Sequence, residues 1–366
     1  MTVDAPGSAV VIGAGLIGTS VALALRAAGT QVLLSDADPA AEQLAADMGA
    51  GESLRAAGPT AGPADIAVLA VPPAAVAGEL AAAQQGAVAR CYTDVASVKQ
   101  LPLTAARALG CDLTSFVPGH PLSGRERSGP AAARADLFLG RPWVICPVEE
   151  NAAGAVIAVT GLARACGGQP VMLSAADHDR YVALVSHVPH LVAAAVAAGL
   201  EHAPPEALIL AGQGVRDVTR IAAGSPDMWG QILSGNAGPV GELLAEVASE
   251  LDAAAAGLGV LAGGNEEARK VLTDLLERGR AGVARLPGKR GGPAPEYAMV
   301  QVVIPDRPGE LARLFQVVGE AGINIEDVDI EHSPGLPVGV AELWVRPDAV
   351  DAVTGVLAAG GWPVRR

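Results

Sequence analysis

Short apolar runs separated by turn residues characterise the first half of the chain. The run AVVI at 9–12 is followed by a glycine-rich turn, and an alanine- and leucine-rich segment then continues to Gly29. A short apolar run is typical of a strand buried on both faces, whereas the longer segment has the length of a helix. The chain therefore begins with the pattern of strand, tight turn and helix that opens a parallel α/β sheet.

Further strand patterns follow, with helical segments between most of them. They lie at 31–35, 65–73, 87–97, 111–120 and 141–147. This repetition predicts a mostly parallel, doubly wound Rossmann-type sheet, and we place this domain at 1–173. Ligands of such sheets bind at the carboxyl ends of the strands, so the loops after these strands are expected to meet at one cleft.

The rest of the chain has two other patterns. From about Ser174 the apolar residues recur at helical spacing, which predicts an all-helical domain over 174–284 that supplies the substrate side of the cleft and a dimer interface. The segment 285–296 is rich in proline, glycine and basic residues and is expected to be a linker. Beyond it, 297–366 has the order strand, helix, strand, strand, helix, strand of a small ferredoxin-like domain.

The first turn carries a dinucleotide-binding pattern. Gly13, Gly15 and Gly18 have the GxGxxG spacing, and Asp36 ends the next strand about 20 residues further on. The glycines permit the bend, the approach of a pyrophosphate and close packing of helix and strand. An aspartate at this position binds the adenosine ribose and repels a 2′-phosphate, so we expect NAD rather than NADP. The expected cofactor-binding residues are Gly13, Gly15, Leu16, Ile17, Gly18, Asp36, Val71 and Pro72.

Composition narrows the choice of partner. The 366 residues carry a net charge of −14, which disfavours nucleic acid and anionic membrane surfaces and favours a small molecule or another protein. The four cysteines are far apart, so we expect reduced thiols and no metal. The first residues lack the basic segment of a secretory signal, and histidine, proline or glycine interrupts the apolar helices. We therefore expect a soluble, cytoplasmic protein.

Four motifs follow the glycine turn in a specific order. They are SVK at 97–99, GHPLSGRERSG at 119–129, SHVPH at 186–190 and RDVTRIA at 216–222. With these motifs the first 284 residues resemble prephenate dehydrogenases, and residues 297–366 resemble an ACT domain. The resemblance implies NAD-dependent conversion of prephenate to 4-hydroxyphenylpyruvate, or of arogenate to tyrosine. It also implies a homodimer and an aromatic amino acid effector at the ACT domain.

The resemblance also implies roles for single residues. His120, held between Pro118 and Pro121, is expected to accept the proton of the ring hydroxyl, a task that suits a neutral imidazole. Ser97 is expected to orient the reacting groups and His187 to polarise or anchor the substrate, so these three form the catalytic set. The expected substrate-binding residues are Arg220 for a carboxylate, Glu126 at the mouth of the site, Arg125 and Ser123.

Several alternatives stay open at this point. Ser97 could instead cap a helix, Glu126 could form a surface salt bridge, and His190 is expected only to cap or pack. Another NAD-dependent hydroxy-acid dehydrogenase would share the glycine turn and the helical domain but would not need the GHPLSG segment. A sensor that binds NAD and an amino acid without chemistry is disfavoured, because the proposed catalytic residues and Arg220 occur together.

Overall fold

The computed structural model describes residues 5–57, 62–123, 129–287, 297–332 and 337–365. The chain divides into two compact units, Met1–Ala248 and Ser249–Arg366. Arg125 and Glu126 lie outside the described residues, as does most of the expected linker at 285–296.

The main sheet of the first unit is fully parallel. Its strands are β1 (Ser8–Ile12), β2 (Gln31–Ser35), β3 (Glu52–Ser53), β4 (Ala64–Leu69) and β5 (Ala89–Asp94), in the spatial order β3-β2-β1-β4-β5. β1 pairs with β2 on one side and with β4 on the other. The order along the sheet therefore reverses at β1, where doubly wound sheets open a binding crevice at the carboxyl ends of the strands.

Helices cover both faces of this sheet. They are α1 (Leu16–Ala27), α2 (Pro39–Asp47), α3 (Leu54–Ala57), α4 (Val76–Gln85), α5 (Gln100–Ala108) and α6 (Ala153–Ala165). Alternate residues of β1 point to opposite faces: Val11 joins a core with α1 and α6, and Val10 joins a core with α4 and α5. This explains why the strand is apolar from Ala9 to Ile12.

A second, three-stranded sheet follows the first. It contains β6 (Gly119–Pro121), β7 (Pro142–Ile145) and β8 (Gln169–Met172), with β6 antiparallel to β7 and β7 parallel to β8. The strand expected at 111–120 is therefore shorter than its pattern indicates, although a single bridge joins Phe116 to Tyr92 of β5. Residues 112–115 form a turn instead, because the Asp112 carboxylate accepts hydrogen bonds from Thr114 and Ser115.

The helical region begins with α7 (Ala175–Val182), a π-helical turn (Ala183–His187) and α8 (Val188–Ala198). Pro189 has no N–H to donate, and the Val188 N–H bonds Ala183 O, five residues back. Among the described residues, 175–198 is the one helical segment long and apolar enough to span a membrane by length and composition. However, its buried Asp179 is bonded to the backbone of Lys99 and Gln100, so the segment is part of the folded unit.

Shorter helices complete the first unit and lead into the second. They are α9 (Pro205–Ile209), α10 (Gln213–Thr219), a 3₁₀ turn (Arg220–Ala223), α11 (Pro226–Gly235), α12 (Ala237–Ala262) and α13 (Arg269–Val283). α12 crosses the boundary between the two units. In the second unit, the Arg278 guanidinium of α13 donates one hydrogen bond to each carboxylate oxygen of Glu250 of α12.

The C-terminal residues form a small α/β fold. Its elements are β9 (Ala298–Pro305), α14 (Glu310–Glu320), β10 (Asp327–His332), β11 (Val338–Val345), α15 (Val350–Ala359) and β12 (Val364–Arg365). The antiparallel sheet has the order β10-β11-β9-β12. Buried residues alternate along β9 and β11 and pack against α14 and α15, which gives this fold an apolar core of its own. The order of elements agrees with the ferredoxin-like pattern expected from the sequence.

Candidate active site

The glycine turn lies between β1 and α1 and is shaped by close contacts. Gly13 has a φ of +104°, and a Cβ there would approach Ala70 O to 2.2 Å. A Cβ on Gly18 would lie 1.9 Å from Gly13 O, so this glycine allows the helix to pack against the turn. By contrast, a Cβ on Gly15 would have no neighbour within 4 Å. The open space at the helix N-terminus can therefore accommodate a pyrophosphate, which backbone N–H groups would bind.

The Asp36 carboxylate lies beside this turn. Its Oδ2 accepts a hydrogen bond from Ala14 N at 2.5 Å, and its Oδ1 accepts one from Asp38 N at 2.8 Å. Arg55, which is distant in sequence, donates to Asp36 O at 2.5 Å. The aspartate is therefore at the end of β2 where a ribose would lie, and a cation that the sequence did not reveal is next to it.

The remaining expected cofactor contacts surround the same turn. Leu16 and Ile17 form the partly buried first turn of α1, and Val71 and Pro72 follow the end of β4 after one intervening residue. The Val71 side chain lies 3.3 Å from the position of a Cβ on Gly13. The structure thus places these residues with the glycine turn at the carboxyl ends of β1 and β4.

A buried ion pair supports the backbone of Gly119. Lys99 and Asp94 are both fully buried, and the Lys99 ammonium bonds the Asp94 carboxylate. The ammonium also donates to Gly119 O at 2.6 Å, while Gly119 N donates to Asp94 Oδ1 at 3.2 Å. Gly119 is therefore fixed through both its N–H and its carbonyl, and this determines where the next residue, His120, presents its side chain.

Hydrogen bonds link this backbone to the cofactor turn. Ala70 N donates to Ile12 O, Val95 N donates to Leu69 O, and the Asp94 side chain contacts Gly119. The carboxyl ends of β1, β4 and β5 therefore meet His120 along one edge of the sheet. A substrate that contacts His120 can approach a nicotinamide bound at this edge.

The His120 imidazole is hydrogen-bonded to a line of polar side chains from α7. Its Nδ1 lies 2.8 Å from Nε2 of His178, and Nδ1 of His178 lies 2.8 Å from Oδ1 of Asp179. His178 and Asp179 are buried. The pKa of His120 is held well below its ordinary value of 6.5, first by desolvation and then by the nearby His178, Lys99 and His187. At neutral pH His120 is therefore uncharged and able to accept a proton.

A second group of rings lies around the π-helical turn. His187 is buried, its Nδ1 lies 3.1 Å from the Asn236 amide nitrogen, and the same amide donates to Asp179 O. Desolvation, opposed by Asp179, lowers the pKa of His187 to about 4. The His190 ring stacks on Trp229 with the ring centroids 3.6 Å apart, which is the packing role expected for it.

The other expected site residues lie in varied surroundings. Ser97 is partly buried in the loop after β5, three residues beyond Asp94. Ser123 donates to Leu137 O at 2.8 Å. Arg220 opens the 3₁₀ turn after α10 and is exposed. The structure thus brings His120 and His187 into connected parts of one polar network, while Arg220 lies on an exposed helical surface.

Sequence reasoning missed much of this network. Asp94, Lys99, His178, Asp179 and Asn236 were given no role, yet all five are buried and polar. The available signals were weak: His178 is one of only six histidines, and Lys99 lies within the SVK motif between two apolar segments. A buried polar group is costly unless it is hydrogen-bonded, and each of these residues has at least one partner that is distant in sequence.

Family models cover most of the chain. Residues 21–172 match the nucleotide-binding domain of prephenate dehydrogenase, and residues 174–272 match its dimerization domain. Residues 298–345 match the ACT domain.

Several known proteins are similar over much of their length. "Probable prephenate dehydrogenase NovF" of Streptomyces niveus is 40% identical over 365 residues, covering 97% of this chain and 99% of that protein. Prephenate dehydrogenase of Bacillus subtilis is 29% identical over 241 residues, covering 65% and 63%. Prephenate dehydrogenase of A. aeolicus, solved with hydroxyphenyl propionate and NAD⁺, is 26% identical with a TM-score of 0.64, covering 75% and 98%. Synechocystis arogenate dehydrogenase is 25% identical with a TM-score of 0.60, covering 75% and 99%.

Proposed function

Because this chain belongs to the prephenate dehydrogenase family, we propose that it oxidises prephenate with NAD⁺ and releases carbon dioxide, forming 4-hydroxyphenylpyruvate. The observation that carries the proposal is the uncharged His120 imidazole, fixed at the same sheet edge as the glycine turn. A base for the ring hydroxyl has to lie near the bound nicotinamide, and this placement of His120 supports that role.

The residues fit NAD⁺, which when bound supplies the acceptor for a hydride from the ring carbinol carbon. The glycine turn would hold its pyrophosphate at the N-terminus of α1, and Asp36 would hold the adenosine ribose. Leu16, Ile17, Val71 and Pro72 surround the same turn. The contribution of the protein is to bind and orient the two reactants and to move one proton.

His120 first accepts this proton and later donates it back. It accepts the hydroxyl proton as the carbinol becomes a ketone conjugated through the ring to the carbon that bears the carboxylate. When the bond to the carboxylate breaks, its electron pair moves through the ring to the ketone oxygen, and His120 returns the proton there. The phenol, carbon dioxide and reduced cofactor then balance the reactants, and aromatisation makes the step irreversible.

Other side chains hold the substrate. We assign Arg220 to a carboxylate, since a planar guanidinium can donate two parallel hydrogen bonds. Ser97 orients the hydroxyl or the nicotinamide, and His187 anchors the substrate from the helical domain. Ser123, Arg125 and Glu126 are proposed to contact the substrate near the entrance of the site.

An assay of two substrates with two cofactors tests the function. Prephenate and arogenate would each be supplied with NAD⁺ and with NADP⁺, and cofactor reduction would be followed by absorbance. We expect the largest kcat/KM for prephenate with NAD⁺. Turnover of arogenate alone would reassign the substrate, and turnover of neither ring compound would refute the proposal. Arg55 beside Asp36 makes the NADP⁺ arm informative, because a nearby cation could tolerate a 2′-phosphate.

We propose that the working protein is a homodimer formed through the helical domain. Ile209 and Leu210, at the end of α9, are 81% and 84% exposed in the single chain, which is unusual for large aliphatic side chains. The match to a dimerization domain supports a second copy of this chain as the partner. Light scattering should give twice the monomer mass, and Ile209→Asp should reduce it.

The functional divisions proposed here are 1–173 for cofactor binding, 174–284 for substrate binding and dimerisation, 285–296 as linker and 297–366 for regulation. An aromatic amino acid is the proposed effector of the last division, which belongs to the ACT domain family. Kinetics of the intact chain that are unchanged at millimolar tyrosine, phenylalanine and tryptophan would eliminate this effector class.

We also propose a cytoplasmic location. Cys91, Cys111, Cys146 and Cys166 are all free thiols, as is usual for proteins of a reducing compartment. Fractionation of cells that produce the protein would test this placement.

A further inference from the structure

The line of side chains behind His120 is buried and continuous. His120 contacts His178 through one ring nitrogen, and the other ring nitrogen of His178 contacts Asp179. Asp179 also accepts hydrogen bonds from the backbone N–H groups of Lys99, through Oδ1, and Gln100, through Oδ2. Both carboxylate oxygens are therefore engaged as acceptors, which is the arrangement of an ionised carboxylate.

These contacts determine where the protons lie. An ionised Asp179 can only accept, so His178 carries its proton on Nδ1 and donates it to Oδ1. In a neutral imidazole that carries its proton on Nδ1, the other nitrogen, Nε2, has a lone pair. His120 Nδ1 lies 2.8 Å from that lone pair and must carry the proton of this hydrogen bond. Nε2 of His120 is consequently the unprotonated nitrogen.

We propose that His178 and Asp179 are positioning residues that set the tautomer of His120, so that its Nε2 is the atom that accepts the substrate proton. The proposal rests on the proposed function, in which His120 is the base. Without His178, a neutral His120 could place its proton on either nitrogen, and the tautomer protonated at Nε2 could not accept a proton there.

The same line stabilises the charge that His120 gains. When Nε2 takes up the hydroxyl proton, Nδ1 keeps its own proton in the hydrogen bond to His178. Lys99 and His187 face this group and oppose a positive charge, while the Asp94 carboxylate compensates Lys99. Asp179 supplies a negative charge through His178. The imidazolium can then persist until decarboxylation generates the oxygen that takes the proton back.

Two replacements of His178 separate positioning from packing. In His178→Asn, the amide nitrogen can occupy the place of Nδ1 and contact Asp179, but no atom reaches His120. In His178→Gln, the longer amide can place its oxygen where Nε2 lies and accept the His120 proton. We expect kcat to fall by roughly 10²-fold or more in the Asn variant, with the KM for prephenate and for NAD⁺ within about threefold of wild type. The kcat of the Gln variant should be about tenfold higher than that of the Asn variant.

The control is His202→Asn, which changes an exposed histidine of the same helical domain and should leave kcat unchanged. A His178→Asn variant with near-normal kcat, in a preparation whose wild type turns over prephenate, overturns the proposal. Equal losses in the Asn and Gln variants also overturn it, because they would indicate a packing role. Failure of the wild type on both ring substrates instead refutes the proposed function.

A direct measurement of the tautomer is independent of activity. ¹⁵N-labelled histidine gives resonances for only six side chains, and His120→Asn identifies those of His120. We expect a protonated Nδ1 and an unprotonated Nε2 in the free enzyme at neutral pH. The reverse assignment overturns the proposal, even if the variants above fold poorly.

The pH profile gives the electrostatic part of the test. Asp179→Asn keeps an oxygen acceptor for His178 but removes the negative charge. The acidic limb of kcat/KM should move to lower pH, since a His120 imidazolium without Asp179 loses its proton more readily, and the plateau should fall. If the acidic limb of kcat/KM in Asp179→Asn stays at the wild-type pH, the charge of Asp179 does not stabilise the His120 imidazolium.

Discussion

The two regions that carry the proposed site residues differ in burial. The inner network consists of Asp94, Lys99, His120, His178 and Asp179, and all of these except His120 are fully or almost fully buried. The outer helices, α9 to α11 with the 3₁₀ turn that contains Arg220, have no buried residues. The inner network is therefore formed within one chain, whereas the side chains of the outer helices are exposed or only partly buried in the single chain.

The difference follows from the cost of burying polar groups. An unpaired charge inside a protein costs several kcal/mol, so the inner network can exist only with its partners in place. An exposed guanidinium such as Arg220 has no comparable constraint. We therefore expect changes to the inner network to reduce kcat or stability, and changes to the outer helices to alter binding.

Replacing His120 should have the largest effect. His120→Asn keeps a polar side chain beside His178 but removes the base, so kcat should fall by about 10²- to 10⁴-fold. The affinity for NAD⁺, measured by fluorescence titration, should stay near that of wild type because the glycine turn is unaffected. Near-normal turnover would end the assignment of His120 as the base.

Breaking the buried ion pair should mainly reduce stability. Lys99→Met leaves the Asp94 carboxylate buried without its cation, at a cost of about 3–5 kcal/mol in the free energy of unfolding. The double variant Lys99→Met with Asp94→Asn removes that charge and should recover part of the loss. Urea unfolding measures both. A single variant as stable as wild type would show that the inner network does not depend on this pair.

Removing the outer cation should affect binding. Arg220→Ala should raise the KM for prephenate by about 10- to 100-fold, the equivalent of a charge-assisted hydrogen bond of roughly 1.5–3 kcal/mol. The KM for NAD⁺ should change little. Arg164→Ala, which alters an exposed arginine of α6, is the matched control. Equal increases for prephenate and NAD⁺ would contradict a carboxylate-binding role.

The glycine turn shows a similar contrast, because Gly18 packs against Gly13 whereas Gly15 faces open space. Gly15→Ala has open space for its Cβ, so the variant should fold normally while the KM for NAD⁺ rises roughly tenfold or more, because the methyl group occupies the pyrophosphate position. Gly18→Ala would collide with the Gly13 carbonyl and should lose about 1–3 kcal/mol of stability. Thermal unfolding and cofactor titration distinguish the two. The same stability loss in both variants would refute this reading of the turn.

The smallest expected effect is a change in how the free energy of unfolding depends on pH. The pKa of His187 falls from 6.5 to about 4 on folding, so the unfolded chain binds more protons between these values. The contribution of neutral His187 to stability is therefore present above pH 6.5 and is lost as the pH falls towards 4. His187→Gln should flatten the pH dependence of unfolding in this window, and His202→Gln should not. Unchanged slopes in both variants would contradict the buried, neutral state of His187.

Local patterns in the sequence predicted most of the order of elements, although they did not indicate the short strands β3 and β8. The apolar run of β1, the glycine spacing and Asp36 predict the cofactor turn, and the structure places them together. The alternation along β9 and β11 likewise predicts the C-terminal fold. The strand expected at 111–120 was predicted too long, because hydrogen bonds from Thr114 and Ser115 to Asp112 close a turn that an apolar pattern does not reveal.

The sequence by itself determined the three fold patterns, the glycine turn and the family, and it predicted a role for His120, because these depend on short-range spacing and on ordered motifs. Only the tertiary structure decided that Lys99, His178 and Asp179 stand behind His120. Lys99 and Asp179 are 80 residues apart, as one of their hydrogen bonds records. The buried Asp179 carboxylate is tolerable because folding brings the backbone N–H groups of Lys99 and Gln100 within hydrogen-bond distance, and no local pattern encodes that contact.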